Sequence, residues 1–265
     1  MGRLSAFWLL LGAASLGSTA ALAAQPTDHA DAESAINAKF GYDWTEGKYG
    51  QSKDSTASVG SLTLASDFTD YSVDFVLPYL RQTGPGRRIA IAGRRPVVVI
   101  GPDQKATGMG DVTGGITWYV LNEEDHQVDL DVEAIVKFAT ASAGKGLGSG
   151  KYDYSLQTAL GRSFAGFVAT LTGGYSFVGK PPNQGYRDAF YGSLDMSYNL
   201  SKTSSAGITY SAGGTIVAGV PGTRDGQAYV SFKPAKGVKV EIYYLRGWST
   251  QSPDRGAGIS VGCDL

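Results

Sequence analysis

Strict alternation of apolar and polar residues is the feature that most constrains this chain. Within Val128–Phe138 the apolar side chains recur at every second position, and the charges Asp129, Asp131, Glu133 and Lys137 fall between them. Successive side chains of a strand point to opposite faces, so the stretch predicts a strand with one apolar and one polar face. Its length matches the ~9–11 residues that a tilted strand needs to cross a bilayer.

The same alternation recurs along the chain and predicts twelve strands, an even number, as in bacterial single-chain barrels. Predicted connections alternate between short ones, such as 163–166, and longer ones, such as 179–188. Short periplasmic turns and longer external loops are typical of outer-membrane barrels. We therefore predict an all-β fold over 35–265, a 12-stranded antiparallel transmembrane β-barrel; a soluble β-sandwich is the alternative.

Two details of the alternating segments fit a barrel. Pro78 is the one proline inside a predicted strand, and since proline cannot donate to a ladder, we expect it near the rim or at a bulge. Aromatic residues lie mostly near the ends of the apolar faces, as in interfacial girdles. They are Tyr71, Tyr79, Phe138, Tyr152, Tyr175, Phe177, Tyr198 and Tyr244.

The N-terminal residues predict export. Arg3 precedes an apolar run over Leu4–Leu22, and the small residues at 21–23 match an A-x-A cleavage site. We predict a signal peptide over 1–23 rather than an uncleaved anchor, followed by a polar periplasmic leader over 24–34. Export and the barrel pattern together predict the bacterial outer membrane, where the chain would contact membrane lipids and lipopolysaccharide.

The composition excludes several classes of function. With 23 Lys and Arg against 24 Asp and Glu, the near balance of charge gives no argument for nucleic acid, which would require a clustered basic surface. The two histidines, His29 in the leader and His126 in a predicted periplasmic turn, lie away from the external rim where barrel hydrolases work. We therefore predict no enzyme, no metal and no cofactor. The glycine-rich run at 144–150 departs from a phosphate-binding loop, since position 145 is Lys, and is interpreted as a flexible external turn.

Four short motifs carry a family resemblance. They are GMGDV at 108–112, VKFAT at 136–140, GKGLGSGKYDY at 144–154 and GGY at 173–175. The series, over about 108–201, resembles the outer-membrane barrel family named for the MetA-pathway of phenol degradation. The resemblance implies a transporter-like outer-membrane channel with a link to the catabolism of aromatic compounds.

The predicted function is passive passage of small solutes, aromatic or otherwise hydrophobic, through the barrel lumen. Charged side chains on the lumen face would select among solutes. The predicted lumen-lining residues are Asp43, Asp74, Asp111, Asp129, Asp131, Glu133, Lys137, Asp153, Asp195, Lys239 and Glu241. Twelve strands lie between filled eight-stranded barrels and open porins. A closed outer-membrane barrel with a structural or surface-binding role therefore stays open as the alternative.

The longest predicted external loop, over 84–109, carries four arginines around two apolar runs that suggest a hairpin centred on Gly93. The arginines are Arg87, Arg88, Arg94 and Arg95. The loop could stand outward, with its arginines on lipopolysaccharide phosphates, or fold into the mouth and constrict the pore. We favour the inward fold, because the apolar run 97–100 would otherwise meet water.

Overall fold

A computed structural model of the protein describes residues 14–15, 18–19, 35–92, 95–182 and 185–265. Only the backbone is described at 14–15, 18–19, 35, 87–92, 95, 97 and 100–102. Ala14–Ser15 pairs with Ser18–Thr19 as two short strands. The rest of the predicted signal peptide and leader lies outside the described residues.

Thirteen longer strands follow, which we number in chain order. They are β1 Ala35–Gly47, β2 Ser55–Asp67, β3 Tyr71–Ala92, β4 Arg95–Met109, β5 Thr113–Leu121, β6 Asp129–Lys137, β7 Asp153–Phe164, β8 Phe167–Phe177, β9 Ala189–Asn199, β10 Ser204–Gly213, β11 Arg224–Ala235, β12 Val238–Gly247 and β13 Arg255–Asp264. One short helix, α1 Glu123–His126, and a 3₁₀ turn, Ala143–Lys145, complete the regular elements of the described chain.

The strands close into a ring in which every pairing is antiparallel. β1 pairs with both β13 and β2, β2 pairs with β3, and the ladder then continues round to β13. Strands β4 and β5 share one position, because β4 pairs with the far half of β3 and β5 with its near half. Twelve positions therefore close the barrel, as predicted.

Pro78 lies where β3 changes partner from β5 to β4. The register shifts by one residue between the pairs Val76↔Thr113 and Tyr79↔Met109, which makes a bulge. The carbonyl of Pro78 accepts a hydrogen bond from the amide of Gly110 at 2.9 Å. The missing N–H of proline therefore falls at an irregularity of the ladder, and the predicted bulge position is confirmed.

The two ends of the barrel differ in the length of their connections. At one end, which we call the short-turn end, the strands are joined over 68–70, 122–128, 165–166, 200–203 and 236–237. At the opposite, long-loop end, the connections run over 48–54, 138–152, 178–188, 214–223 and 248–254. The described ends of the barrel, at 35 and 265, both lie at the short-turn end.

The burial pattern is the reverse of that of a soluble globular protein. The fully buried strand residues are mostly polar or charged, whereas large apolar side chains such as Phe40, Leu171 and Ile208 are exposed on the outside. A soluble sandwich would bury these apolar side chains between two sheets. The outer face is instead the kind of surface that lipid covers.

Aromatic side chains cluster on the outer face near both ends. Phe164, Phe167 and Tyr198 contact one another at the short-turn end, and Tyr175 contacts Phe177 and Phe190 at the long-loop end. From Phe167 to Phe177, strand β8 advances about 25 Å along the axis at ~3.3 Å per residue and a typical tilt of ~40°. The spacing matches the height of an apolar band between two girdles.

Two sequence predictions need correction. The segment 84–109 is not an open loop, since β3 extends to Ala92 and pairs with β4 as a hairpin whose last described pair is Ala92↔Arg95. The alternation of apolar residues from Ile208 through Tyr210 and Ala212 predicts that the strand includes Ile216, but Ile216 lies in the connection after β10, where it is buried at the mouth. In both cases side chains packing inside the barrel mouth determine the course of the chain, which local alternation does not register. None of the helices in the described residues is long and apolar enough to span a membrane.

Candidate permeation path

Each predicted lining residue lies in a strand, or directly beside one, at a position that faces the lumen. Nearly all are buried, Asp74 and Lys239 being half-buried. We call the inner-face side chains the lumen wall, and many of them are hydrogen-bonded to one another across neighbouring strands. Part of the predicted signal peptide also lies against this ring, because Ala14–Ser15 approaches β1 and β2 and Ser18–Thr19 approaches β10. The burial of the wall therefore includes contacts with a segment that the predicted cleavage would remove.

Lys137 is the centre of a buried ionic cluster at the top of the lumen wall. Its ammonium nitrogen lies 2.8 Å from Asp111 and 3.4 Å from Asp153, and all three side chains are almost inaccessible. It also donates to the Lys151 carbonyl at 2.8 Å and to Ser149 at 3.2 Å. The cluster therefore ties strand β6 to the two ends of the 138–152 connection.

Three inward tyrosines cross the lumen wall in the same manner. Tyr229 on β11 passes over Gly207 of β10 and donates to Asp195 of β9 at 3.0 Å. Tyr243 on β12 passes over Gly258 of β13 and donates to Asp43 of β1. A side chain on either glycine would collide with the tyrosine ring, so glycine is needed there for the close approach.

Tyr191 completes this set and extends it toward the mouth. It lies over Gly174 of β8 and donates to Gln157 of β7 at 2.9 Å, and Gln157 donates to Glu133 at 2.6 Å. A hydrogen-bonded chain thus runs across four strands. Because every member is bonded, this part of the wall is held in one arrangement.

Other predicted lining residues form hydrogen bonds at different levels along the barrel axis. Asp195 accepts a second hydrogen bond from Thr209 at 2.6 Å. Asp129, at the short-turn end, accepts from the Glu123 amide of α1 at 2.7 Å. Asp131 and Glu241 are also buried on the inner face. The structure thus joins some predicted residues into clusters and leaves others apart along the lumen.

An apolar group closes part of the long-loop end. Val59, Leu80 and Ala106 point inward from β2, β3 and β4, and Leu147 of the glycine-rich run packs onto them. We call this group the first mouth cluster. The Gly146 carbonyl accepts a hydrogen bond from Gln82 at 3.2 Å. The prediction of a flexible turn is therefore wrong: the run is anchored and folds inward, because Leu147 finds an apolar site there.

A second apolar group lies across the mouth from the first. It consists of Val178, Tyr186, Ala189, Tyr191 and Ile216, and we call it the second mouth cluster. Val99 of β4 packs against it, and β3 approaches β7, β8 and β9 from the other side of the ring. The β3–β4 hairpin therefore leans across the mouth, which is the inward position favoured from the sequence.

The four arginines of the hairpin are only partly placed. The backbone of Arg87 and Arg88 belongs to β3 and that of Arg95 to β4, whereas the side chains of all three, and the whole of Arg94, lie outside the described residues. Nearer the barrel, Asp103 of β4 forms an ion pair with Lys53, which lies in the 48–54 connection. The distance between the Lys53 nitrogen and the Asp103 oxygen is 2.7 Å. The hydrogen bond to Asp103 raises the pKa of Lys53 above its ordinary value.

The sequence matches the protein family described as "Putative MetA-pathway of phenol degradation" over residues 23–263, which is nearly the whole chain. The chain belongs to this family. The match extends far beyond the 108–201 region that carried the resemblance, and that resemblance is confirmed. No curated protein matches the sequence.

Solved structures share the fold of this MetA-pathway family member. An outer membrane channel from Pseudomonas putida F1 superposes with a TM-score of 0.68 at 14% identity, covering 91% of this chain and 100% of that chain. The NanC porin superposes with a TM-score of 0.53 at 8% identity, covering 87% and 99%. The predicted 12-stranded antiparallel outer-membrane barrel is confirmed.

Several residues at this site had not been singled out from the sequence. Tyr191 and Tyr229 share the parity of inward acids on their own strands, so alternation alone could have placed them inside. Gln157 could have been found in the same way. Leu147 and Tyr186 carried no periodic signal, because they lie in connections between strands.

Proposed function

We propose that the protein is an outer-membrane channel, not an enzyme, and that small solutes cross passively through its lumen. The observation that carries the proposal is a polar lumen wall inside a closed barrel whose outer face is apolar. A polar interior is what a water-filled passage through lipid requires, although plugged transmembrane barrels share it. The similar barrel from Pseudomonas putida F1 is itself called an outer membrane channel.

Small apolar or aromatic solutes are the proposed cargo. A solute entering from the long-loop end meets the first and second mouth clusters before it reaches the charged wall. Apolar surface there favours a solute with little charge, because a strongly hydrated ion would lose its water against it.

The β3–β4 hairpin is the proposed gate. The hairpin is the element that crosses the mouth, so a solute that enters from the long-loop end has to pass it. We propose that Arg87, Arg88, Arg94 and Arg95 contribute a positive constriction facing the acidic wall. Replacing Arg94 and Arg95 by Ser should raise single-channel conductance and shift selectivity toward cations. Replacing the outward Arg246 by Ser should do neither, and equal effects of both changes would contradict the constriction.

A closed barrel with a structural or surface-binding role is the second candidate, and the hydrogen bonds that join side chains of the lumen wall favour it. Swelling of liposomes that carry the purified protein separates the two. The channel proposal expects entry of small neutral solutes with a sharp size limit, in the presence of protein only. No entry of any solute would overturn it in favour of the closed barrel.

We place the barrel in the bacterial outer membrane, with lipids and lipopolysaccharide as its surroundings and the short-turn end in the periplasm. The apolar outer face and the predicted signal peptide support this placement. A cysteine at Ser52, in a Cys263→Ser background, should react with an impermeant reagent on intact cells. A cysteine at Asp125 of α1 should not, and the opposite pattern would reverse the topology.

A further inference from the structure

Tyr186 is the polar exception inside the second mouth cluster. Only 5% of the residue is exposed, and its neighbours in the cluster are Val178, Ala189, Tyr191 and Ile216. Unlike Tyr191, which donates to Gln157, the Tyr186 hydroxyl has no hydrogen-bond partner among the residues that the structure describes. A buried hydroxyl without a partner is unfavourable and calls for an explanation.

The hydroxyl is a donor that lacks an acceptor. Burial, and secondarily the negative charge of Asp153, raises the pKa of Tyr186 to about 12. The phenol therefore keeps its proton at any physiological pH. The same Asp153 charge would repel an anion, so an acceptor that suits this position belongs to a neutral molecule.

The backbone around Tyr186 is fixed, so the side chain does not simply turn outward. Tyr186 forms an antiparallel bridge with Val217, and the Arg187 amide donates to the Ile216 carbonyl at 2.7 Å. Asp188 accepts a hydrogen bond from the Val178 amide at 3.0 Å and pairs with Lys180. These contacts join the 178–188 and 214–223 connections into one support behind the ring.

The open side of this support is covered by the hairpin. Val99 packs on the second mouth cluster and supplies apolar contact, but its side chain offers nothing to the Tyr186 hydroxyl. A ligand with an apolar body could replace Val99 and, with a single acceptor atom, satisfy the hydroxyl as well. Such a ligand gains an interaction that the hairpin cannot make.

We infer that the second mouth cluster is a binding site for a small neutral solute with an apolar body and one hydrogen-bond acceptor, such as a ketone, an aldehyde or an ester. The solute accepts from Tyr186 and takes the place of Val99, which releases the hairpin from the far wall. The inference rests on the proposed channel function and names the first step of entry.

Fluorine NMR titrations in lipid nanodiscs test the site. The probes are para-fluoroacetophenone and para-fluoro-α-methylstyrene, which differ in shape very little but of which only the first carries a carbonyl oxygen; protein-free nanodiscs correct for partition into lipid. The protein should bind the ketone about threefold to tenfold more tightly, the usual net value of one neutral hydrogen bond. Tyr186→Phe should abolish that preference and keep the affinity for the hydrocarbon.

Tyr229→Phe is the matched control, because it removes an inward tyrosine hydroxyl that is already bonded, to Asp195, and lies outside the second mouth cluster. It should keep the ketone preference. Loss of the preference in both variants, or in neither, overturns the assignment to Tyr186. Val99→Ala should tighten ketone binding a few-fold, and weaker binding would show that Val99 does not compete with the solute. Resistance to trypsin verifies that each variant is folded.

Liposome swelling with the same variants separates this inference from the channel proposal. Solute flux without any ketone preference overturns the site and leaves the channel. A ketone preference without flux of any solute overturns the channel and leaves a binding site at the mouth of a closed barrel.

Discussion

The wall of the barrel and its mouth are built on opposite rules. In the wall, polar side chains point inward and bond to one another, while apolar side chains face outward. At the mouth, apolar side chains point inward, and they come from connections and from the hairpin as much as from strands. The wall therefore forms a charged interior, and the mouth forms an apolar rim around its long-loop end.

This difference means that the mouth and the wall can contribute to selectivity in different ways. The mouth can discriminate by hydrophobicity and size, and the wall by charge and hydrogen bonding. The hairpin and the 138–152 connection are the elements that join the two regions. Substitutions in these two joining elements should have effects that can be measured separately from substitutions on either face of the wall or at the mouth.

The largest expected effect comes from the joint at Lys137. Lys137→Met leaves Asp111 and Asp153 buried without their cation, which should lower the free energy of unfolding by about 3–5 kcal/mol. Urea unfolding of the protein in phospholipid vesicles measures the loss. Trypsin should also cut faster at Lys145, since the connection loses its anchor to the wall.

Lys180→Met provides the control for a lost ion pair. Lys180 pairs with Asp188 at 3.0 Å, but its side chain is mostly exposed, so the cost should be about 1 kcal/mol or less. Equal losses for the two variants would show that the Lys137 cluster is not the buried joint described above.

The next effect tests the outer face of the wall. Leu171 lies in the middle of β8, is 57% exposed and faces outward between Leu160 and Leu194. Leu171→Arg should cost about 2–4 kcal/mol in a bilayer, whereas Phe167→Arg near the strand end should cost about 0–1 kcal/mol. Unfolding in vesicles measures both. Equal, small costs would mean that this surface faces water.

A smaller effect tests the inner face where wall and mouth meet. A Cβ at Gly174 would collide with the Tyr191 ring and lie 2.8 Å from Gln157, so Gly174→Ala should destabilise by about 1–3 kcal/mol. The neighbouring Gly173 faces outward with nothing within 4 Å, and Gly173→Ala should stay within about 0.5 kcal/mol. If both alanines are tolerated, the tyrosine crossings do not hold the wall.

Alternation along the strands was enough to predict the wall. It indicated which side each acid on β6 takes and the count of twelve positions, while the missing N–H of Pro78 indicated a place at the rim or at a bulge. These features could be predicted because a strand residue has only two faces to choose from, and a barrel assigns one to lipid and one to the lumen.

The mouth could not be predicted in the same way. Leu147, Tyr186 and Ile216 lie in connections, and their positions depend on which distant side chains they meet when the chain folds. The hairpin was suggested by its turn and its apolar runs, but alternation does not show that its pairing extends β3 to Ala92 and brings Val99 to the far wall. Such contacts join residues that are remote in sequence and follow no period.

Planar-bilayer recording with a shortened hairpin tests the central claim most directly. Thr83 and Lys105 are paired across the hairpin, so an Asn-Gly turn can replace residues 84–104 and keep the wall intact. If the lumen is a passage and the hairpin closes its mouth, the shortened protein should show stable conductance steps several-fold larger than those of the full chain. A folded, shortened barrel that conducts no more than the full chain would contradict the account.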